Sequence, residues 1–146
     1  MTPIYIFDLD GTLALIEHRR PLVEGPDKDW RGFFAACVDD APNTPVISVL
    51  NLLSDHAEIW VWSGRSDEVI AETVRWLSDN NCHFDGLKMR KAGDHQPDEK
   101  LKAGWLDGLE ASDRERIVAV FEDRDRMVTL WRSRGLACFQ VAPGNF

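Results

Sequence analysis

The stretch Ile4-Tyr5-Ile6-Phe7-Asp8-Leu9-Asp10-Gly11-Thr12 decides the reading of this chain. Four apolar residues form a short buried strand, and two carboxylates follow at its carboxyl end. Residues at i and i+2 on an extended chain point the same way. Two like charges side by side are expensive to bury unless a cation neutralises them. The carboxyl end of a parallel strand is where open α/β sheets place their sites. Gly11 lets the chain turn sharply, and Thr12 adds a hydroxyl. The segment therefore reads as a divalent-metal site with a potential carboxylate nucleophile.

Working outward, short apolar runs alternate with helical patterns. Strands are expected at Ile4–Phe7, Ile59–Trp62, Gly86–Met89, Ile117–Phe121 and Ala137–Val141. A helix is expected over Val46–Leu53, and another over Asp67–Ser78, with Ser66 as N-cap and Val69, Ile70, Val74 and Leu77 as its buried stripe. A third follows Pro97 over about 98–109, and a fourth buries Met127, Leu130 and Trp131 before Gly135. Strands alternating with helices imply a parallel sheet covered on both faces. The expected fold is a three-layer, Rossmann-like α/β domain with a five-stranded parallel sheet. One domain is expected over residues 1–146, with the irregular segment 17–43 as a small cap-like insertion.

Composition narrows the function classes. A formal net charge of -8 argues against coating a nucleic-acid backbone, though not against a local basic mouth for one phosphate. Cys37, Cys82 and Cys138 are widely spaced and odd in number, which fits a reducing cytoplasm. His18, His56, His83 and His95 lack metal-ligand spacing. No membrane segment or cleavable leader is expected, because Asp8 and Asp10 interrupt the first apolar run.

Polar clusters follow successive strands: Asp8 and Asp10, then Ser63-Gly64-Arg65, then Arg90 through Lys102, then Glu122-Asp123. In a parallel sheet these meet in one crevice. Carboxylates that bind metal and attack, with a hydroxyl and cations that hold phosphate oxygens, suit phosphoryl transfer. Trp60, Trp76, Trp105 and Trp131 fall at core-like positions, Trp62 is undecided, and Trp30 is either a base-stacking surface or core packing.

The order DxDGT, an apolar strand ending in Ser, a Lys and an acidic pair resembles the haloacid dehalogenase superfamily of aspartate-nucleophile phosphatases. Arg19-Arg20-Pro21, Trp62-Ser63-Gly64-Arg65, Met89-Arg90, Gly93-Asp94, Asp98 with Lys102, Glu122-Asp123-Arg124, Leu130-Trp131-Arg132 and Gln140–Phe146 are similar to the 3′-phosphatase domain of phage-type polynucleotide kinase–phosphatase. The resemblance implies Asp8 as nucleophile and Asp10 as general acid, then base. It implies Ser63 and Lys102 on the phosphate, and Mg²⁺ held by Asp8, Asp10 through its carbonyl, Asp123 and Glu122. Thr12, Arg19, Gly64, Arg65, Arg90 and Asp98 are implied around the substrate. Lys102 is preferred over Lys100 because that branch spaces Asp98 and its lysine four apart, on one helical face. Glu122 stands where that branch usually has Asp, and no GxxxxGK[ST] loop accompanies it, so 5′-phosphorylation is not expected.

The expected activity is removal of 3′-phosphates from polynucleotide ends, in the cytoplasm, beside a possible separate kinase or ligase. The alternatives are a phosphatase of free nucleotides or other small esters and, last, a silent binding module. An acid that must also act as base predicts maximal activity at an intermediate, mildly acidic pH.

Overall fold

A computed structural model describes residues 1–146. Its main sheet holds β1 (Ile4–Phe7), β4 (Glu58–Ser66), β5 (Gly86–Arg90), β6 (Ile117–Glu122) and β7 (Ala137–Gln140). The order is β5-β4-β1-β6-β7, and every pairing is parallel. The expected five-stranded α/β architecture is therefore the observed one. β1 lies at the centre, flanked by β4 and β6, so Asp8 emerges between two neighbouring strand ends. A two-stranded ribbon, β2 (Ala14–Leu15) against β3 (Ala41–Pro42), closes the irregular segment onto the turn after β1.

The alternation of β1 divides the core. Phe7 packs on one face with Ile47 and Leu50 of α2 (Thr44–Ser54) and Trp76 and Leu77 of α3 (Ile70–Asp79). Ile4 and Ile6 pack on the other with Leu106 of α4 (Asp98–Asp107) and with Met127, Val128 and Trp131 of α6 (Asp125–Ser133). Helices on both faces satisfy the apolar surfaces of a parallel sheet. Two short helices complete the chain, α1 (Trp30–Ala35) in the irregular segment and α5 (Ala111–Arg116), which has too few apolar residues to announce itself. No helix is long and apolar enough to cross a membrane.

The expectation for the α3 stripe is corrected. Ile70 is 46% exposed and Val74 39%, whereas Thr73, Trp76 and Leu77 are buried. Ser66 does cap the segment, its Oγ accepting from Glu68 N at 3.2 Å, and a single 3₁₀ turn over Asp67–Val69 precedes the α-helix. Trp62 belongs to the core, with its ring centroid 5.8 Å from that of Trp105 and 6.1 Å from that of Trp131. Trp30 is 50% exposed and lies outside it.

Candidate active site

The turn after β1 builds the first part of the site. Asp8 N donates to Phe121 O at 3.0 Å, which carries the sheet one residue past β1. Leu9 O then accepts from Leu13 N and Ala14 N at 2.9 and 3.0 Å, folding the chain back tightly. Gly11 sits at φ +82, and an added Cβ would stand 2.0 Å from Asp123 Oδ2. The turn and the acidic loop after β6 are thus in direct contact.

Asp8, Glu122 and Asp123 are buried, and each offers a carboxylate oxygen within 4.8 Å of the others. Thr12 Oγ1 donates to Asp8 Oδ2 at 3.2 Å and lies 3.5 Å from Asp123 Oδ1. Lys102 is the cation of this group. Its Nζ donates to Asp8 Oδ1 at 2.7 Å and lies 3.6 Å from Glu122 Oε2. Lys100 is exposed, so burial separates the two lysines that spacing alone left in competition.

Three carboxylates facing one ammonium leave excess negative charge. Burial, with Glu122 adding repulsion and Lys102 opposing, pushes Asp8 up to about 8. Burial and the charge of Asp8 push Asp123 up to about 7, and burial also raises Glu122. For Lys102, burial disfavours the charged form, but Asp8, Glu122 and Asp98 outweigh it and hold the ammonium protonated. Glu122 Oε2 is buried without a hydrogen-bond donor. An orphaned carboxylate oxygen within an all-oxygen acidic set fits a hard divalent cation, which would supply the missing positive charge.

Asp10 has a different environment. Arg19 Nη2 and Arg65 Nε both donate to its Oδ1, at 2.7 and 2.9 Å. Burial raises its pKa, but Arg65 and Arg19 prevail and hold it below the usual carboxylate range. A local irregularity aims Arg65. Ser63 pairs with Met89 and Ser66 with Arg90, so Gly64 and Arg65 bulge from the β4–β5 ladder. Ser63 Oγ accepts from Arg65 N at 3.1 Å across this bulge.

Arg19 and Arg65 are buried and turn their guanidinium donors to Asp10, Asp40, Phe33 O and Thr73. Arg90 donates to Gly64 O, Asp94 O, Gln96 O and Asp98 Oδ1, tying down the loop between β5 and α4. Asp98 also receives Arg124 Nη1 at 3.1 Å on its other oxygen. A Cβ on Gly64 would stand 2.5 Å from Asp98 Oδ1. Arg19, Arg65, Arg90 and Asp98, which the resemblance implies around the substrate, also make contacts within the chain that align other side chains.

Sequence reasoning passes over Asp40, and it places Arg124 and Gly144 within matching motifs without giving either a role. Asp40 anchors both buried arginines. Gly144 lies against the acidic loop so closely that a Cβ would be 2.1 Å from Asp123 O. Gln140 Nε2 donates to that same carbonyl at 3.0 Å. Nothing in local sequence marks these contacts, since each joins distant segments.

A central parallel strand delivering an aspartate to an acidic cluster, a buried lysine and a second, separately held aspartate defines a phosphatase of the haloacid dehalogenase type. A family model described as the polynucleotide kinase PNKP phosphatase domain matches residues 2–146. The chain belongs to that family and is a phosphatase. It is similar to a chain in a solved Pnkp1/Rnl/Hen1 complex, with 30% identity and a TM-score of 0.82 over 99% of its length and 48% of that chain's. A second structure, of the Pnkp1/Rnl/Hen1 RNA repair complex, gives 30% identity and a TM-score of 0.84, covering 99% of this chain and 44% of that one. The protein thus spans about half the length of those relatives. A putative phosphatase from Clostridium difficile shares the fold at 15% identity and a TM-score of 0.66, covering 95% of this chain and 84% of that one. Family membership removes the silent binding module from consideration.

Proposed function

We propose that this protein is a Mg²⁺-dependent phosphomonoesterase that forms an aspartyl-phosphate on Asp8 and removes 3′-phosphates from polynucleotide ends. The observation that carries the reading is the division of labour between two carboxylates two residues apart. Asp8 is paired with Lys102 at 2.7 Å beside the acidic cluster, whereas Asp10 is held by two guanidinium groups. That division supports the reading in which one attacks and the other moves a proton.

Asp8, Asp123 and Glu122 would hold Mg²⁺, with the Asp10 carbonyl, and the ion would neutralise phosphate charge. The Asp8 carboxylate attacks phosphorus as the bond to the leaving oxygen breaks. Asp10 gives its proton to that oxygen from Oδ2, because Oδ1 already receives two N–H groups. Water then attacks the aspartyl-phosphate, Asp10 takes its proton, and Asp8 is regenerated as inorganic phosphate leaves. Lys102 balances charge on Asp8 throughout, and Ser63 donates its hydroxyl proton to a phosphoryl oxygen.

The substrate class is supported by similarity to a component of an RNA repair complex and by the limited cover that segment 17–43 provides. That segment serves as a small cap, and its exposed Trp30 offers a face on which a terminal base stacks. A cytoplasmic location and a ligase or kinase acting on the same ends belong to this reading. The acidic balance of the chain favours free nucleotides as the second reading. Phosphate release from a 3′-phosphorylated oligonucleotide and from 3′-mononucleotides, each with Mg²⁺ and with EDTA, decides between them. Faster release from the oligonucleotide, abolished by EDTA, is expected; equal or better turnover of mononucleotides rejects the polynucleotide assignment.

A further inference from the structure

The geometry points to Asp40 as a positioning residue that fixes the proton-bearing oxygen of Asp10 through Arg19 and Arg65. This inference rests on the acid role proposed for Asp10. Asp40 follows the 3₁₀ turn Ala36–Asp39, and Trp76 Nε1 of α3 donates to its carbonyl at 2.9 Å. Both carboxylate oxygens are occupied. Oδ1 accepts from Arg19 Nε at 2.8 Å and from His18 Nε2 at 2.6 Å. Oδ2 accepts from Arg19 Nη2 at 2.7 Å and from Arg65 Nη2 at 3.0 Å.

The same two guanidinium groups reach Asp10. Arg19 Nη2 donates to Asp10 Oδ1 at 2.7 Å, and Arg65 Nε donates to that oxygen at 2.9 Å. A guanidinium is planar, so fixing one edge on Asp40 fixes the direction of its other donors. The remaining donors are also pinned, Arg19 Nη1 on Phe33 O at 3.2 Å and Arg65 Nη1 on Thr73 Oγ1 at 3.1 Å. The Phe33 ring closes over Arg19 with its centroid 4.4 Å from the guanidinium carbon. Two rigid planes therefore meet one oxygen of Asp10 and lock the rotation of its carboxyl group. Oδ2 takes no hydrogen bond from the chain, and the Asp10 side chain keeps 21% of its surface exposed.

Charge supports the same assignment. Two buried guanidiniums and two carboxylates balance. Without Asp40, both cations would draw on Asp10 as their only carboxylate, and the group that joins the two planes to each other would be gone. Asp40 touches no reacting atom in this scheme; it acts through the arginines.

The test reads leaving-group dependence. Benzyl phosphate and p-nitrophenyl phosphate are similar in size and share Asp8 and the metal, but the benzyl alkoxide needs a proton to depart and p-nitrophenolate does not. The ratio of kcat/KM for benzyl to p-nitrophenyl phosphate therefore reports proton donation in the first step. Loss of folded enzyme lowers both values alike and cancels. Asp10→Asn is expected to lower this ratio on the order of 10²-fold, and Asp40→Asn roughly tenfold or more. Where Asp40→Asn does not accumulate as folded protein, His18→Ala, which strips one donor from Asp40 Oδ1, is expected to shift the ratio in the same direction by a smaller factor. A ratio lowered by Asp10→Asn but unchanged in the Asp40 or His18 variant overturns the positioning role. A ratio that Asp10→Asn itself leaves unchanged overturns the acid assignment, and the role of Asp40 with it.

Discussion

Replacing Gly11 by alanine separates the cost of backbone strain from the cost of disturbing the acidic cluster. Gly11 sits at φ +82, where an L side chain costs roughly 1–2 kcal/mol. Its new Cβ would also lie 2.0 Å from Asp123 Oδ2 and 2.6 Å from Asp123 Cγ. Ordinary contact begins at 3.4 Å, so the carboxylate must retreat by 3.4 minus 2.0, about 1.4 Å. A misplacement of about 1 Å at a catalytic group costs on the order of 10²-fold in rate. Gly135→Ala provides the control, since Gly135 has φ +80 with nothing within 4 Å of the added Cβ. Thermal unfolding should fall by a similar amount in both variants. Calorimetric Mg²⁺ titration and phosphate release should fail by roughly 100-fold or more in Gly11→Ala alone. Gly11→Ala with wild-type Mg²⁺ affinity and turnover would refute the close apposition of the turn and Asp123.

Asp8→Asn keeps the size of the side chain and removes the attacking carboxylate, so turnover should fall by several orders of magnitude with an unchanged circular dichroism spectrum; a wild-type rate excludes Asp8 as nucleophile. For the metal-free protein, Asp8 is raised from 3.8 to about 8 and Asp123 from 3.8 to about 7. Between about pH 4 and 8 the folded state then binds more protons than the unfolded one, so stability falls as pH rises, by up to about 1.4 kcal/mol per pH unit for each carboxyl. Tm measured in EDTA should drop across that range and be restored by Mg²⁺ increasingly toward alkaline pH; a Tm in EDTA that is flat or climbs contradicts the buried acidic cluster. Arg90→Lys retains charge but cannot reach Gly64 O, Asp94 O, Gln96 O and Asp98 together, so it should behave like Arg90→Ala, each lowering stability by roughly 1.5–3 kcal/mol in denaturant titrations. Full rescue by lysine would show that charge alone is needed there. Asp10 must donate a proton although Arg65 and Arg19 hold it below the usual carboxylate range, so activity should rise as pH falls through the mildly acidic range, and a pH–rate profile that climbs steadily into the alkaline range would count against the double role of Asp10.

The chemistry-bearing residues were legible because they cluster at strand ends, and strand ends announce themselves as apolar runs stopped by polar residues. Asp8, Lys102, Glu122 and Asp123 come together as that logic implies. The direction in which each side chain acts was less legible. Arg65 turns toward Asp10 through a bulge that depends on the β4–β5 register, and no local pattern encodes that register. In α3 apolar character alone misleads about the buried face, since Thr73 and Trp76 lie inside with the expected Leu77 while Ile70 and Val74 stay exposed.

By itself the order of residues determined the α/β alternation and the identity of the acidic, hydroxyl and cationic groups at the strand ends. These follow from local periodicity and from the rule that parallel strands share one carboxyl edge. Tertiary structure alone decided that Asp40 joins Arg19 to Arg65, that Arg90 serves a loop, and that Gly144 abuts Asp123. A buried ion-pair network depends on distances of a few ångströms between segments far apart in the chain, and such distances exist only once the core has packed.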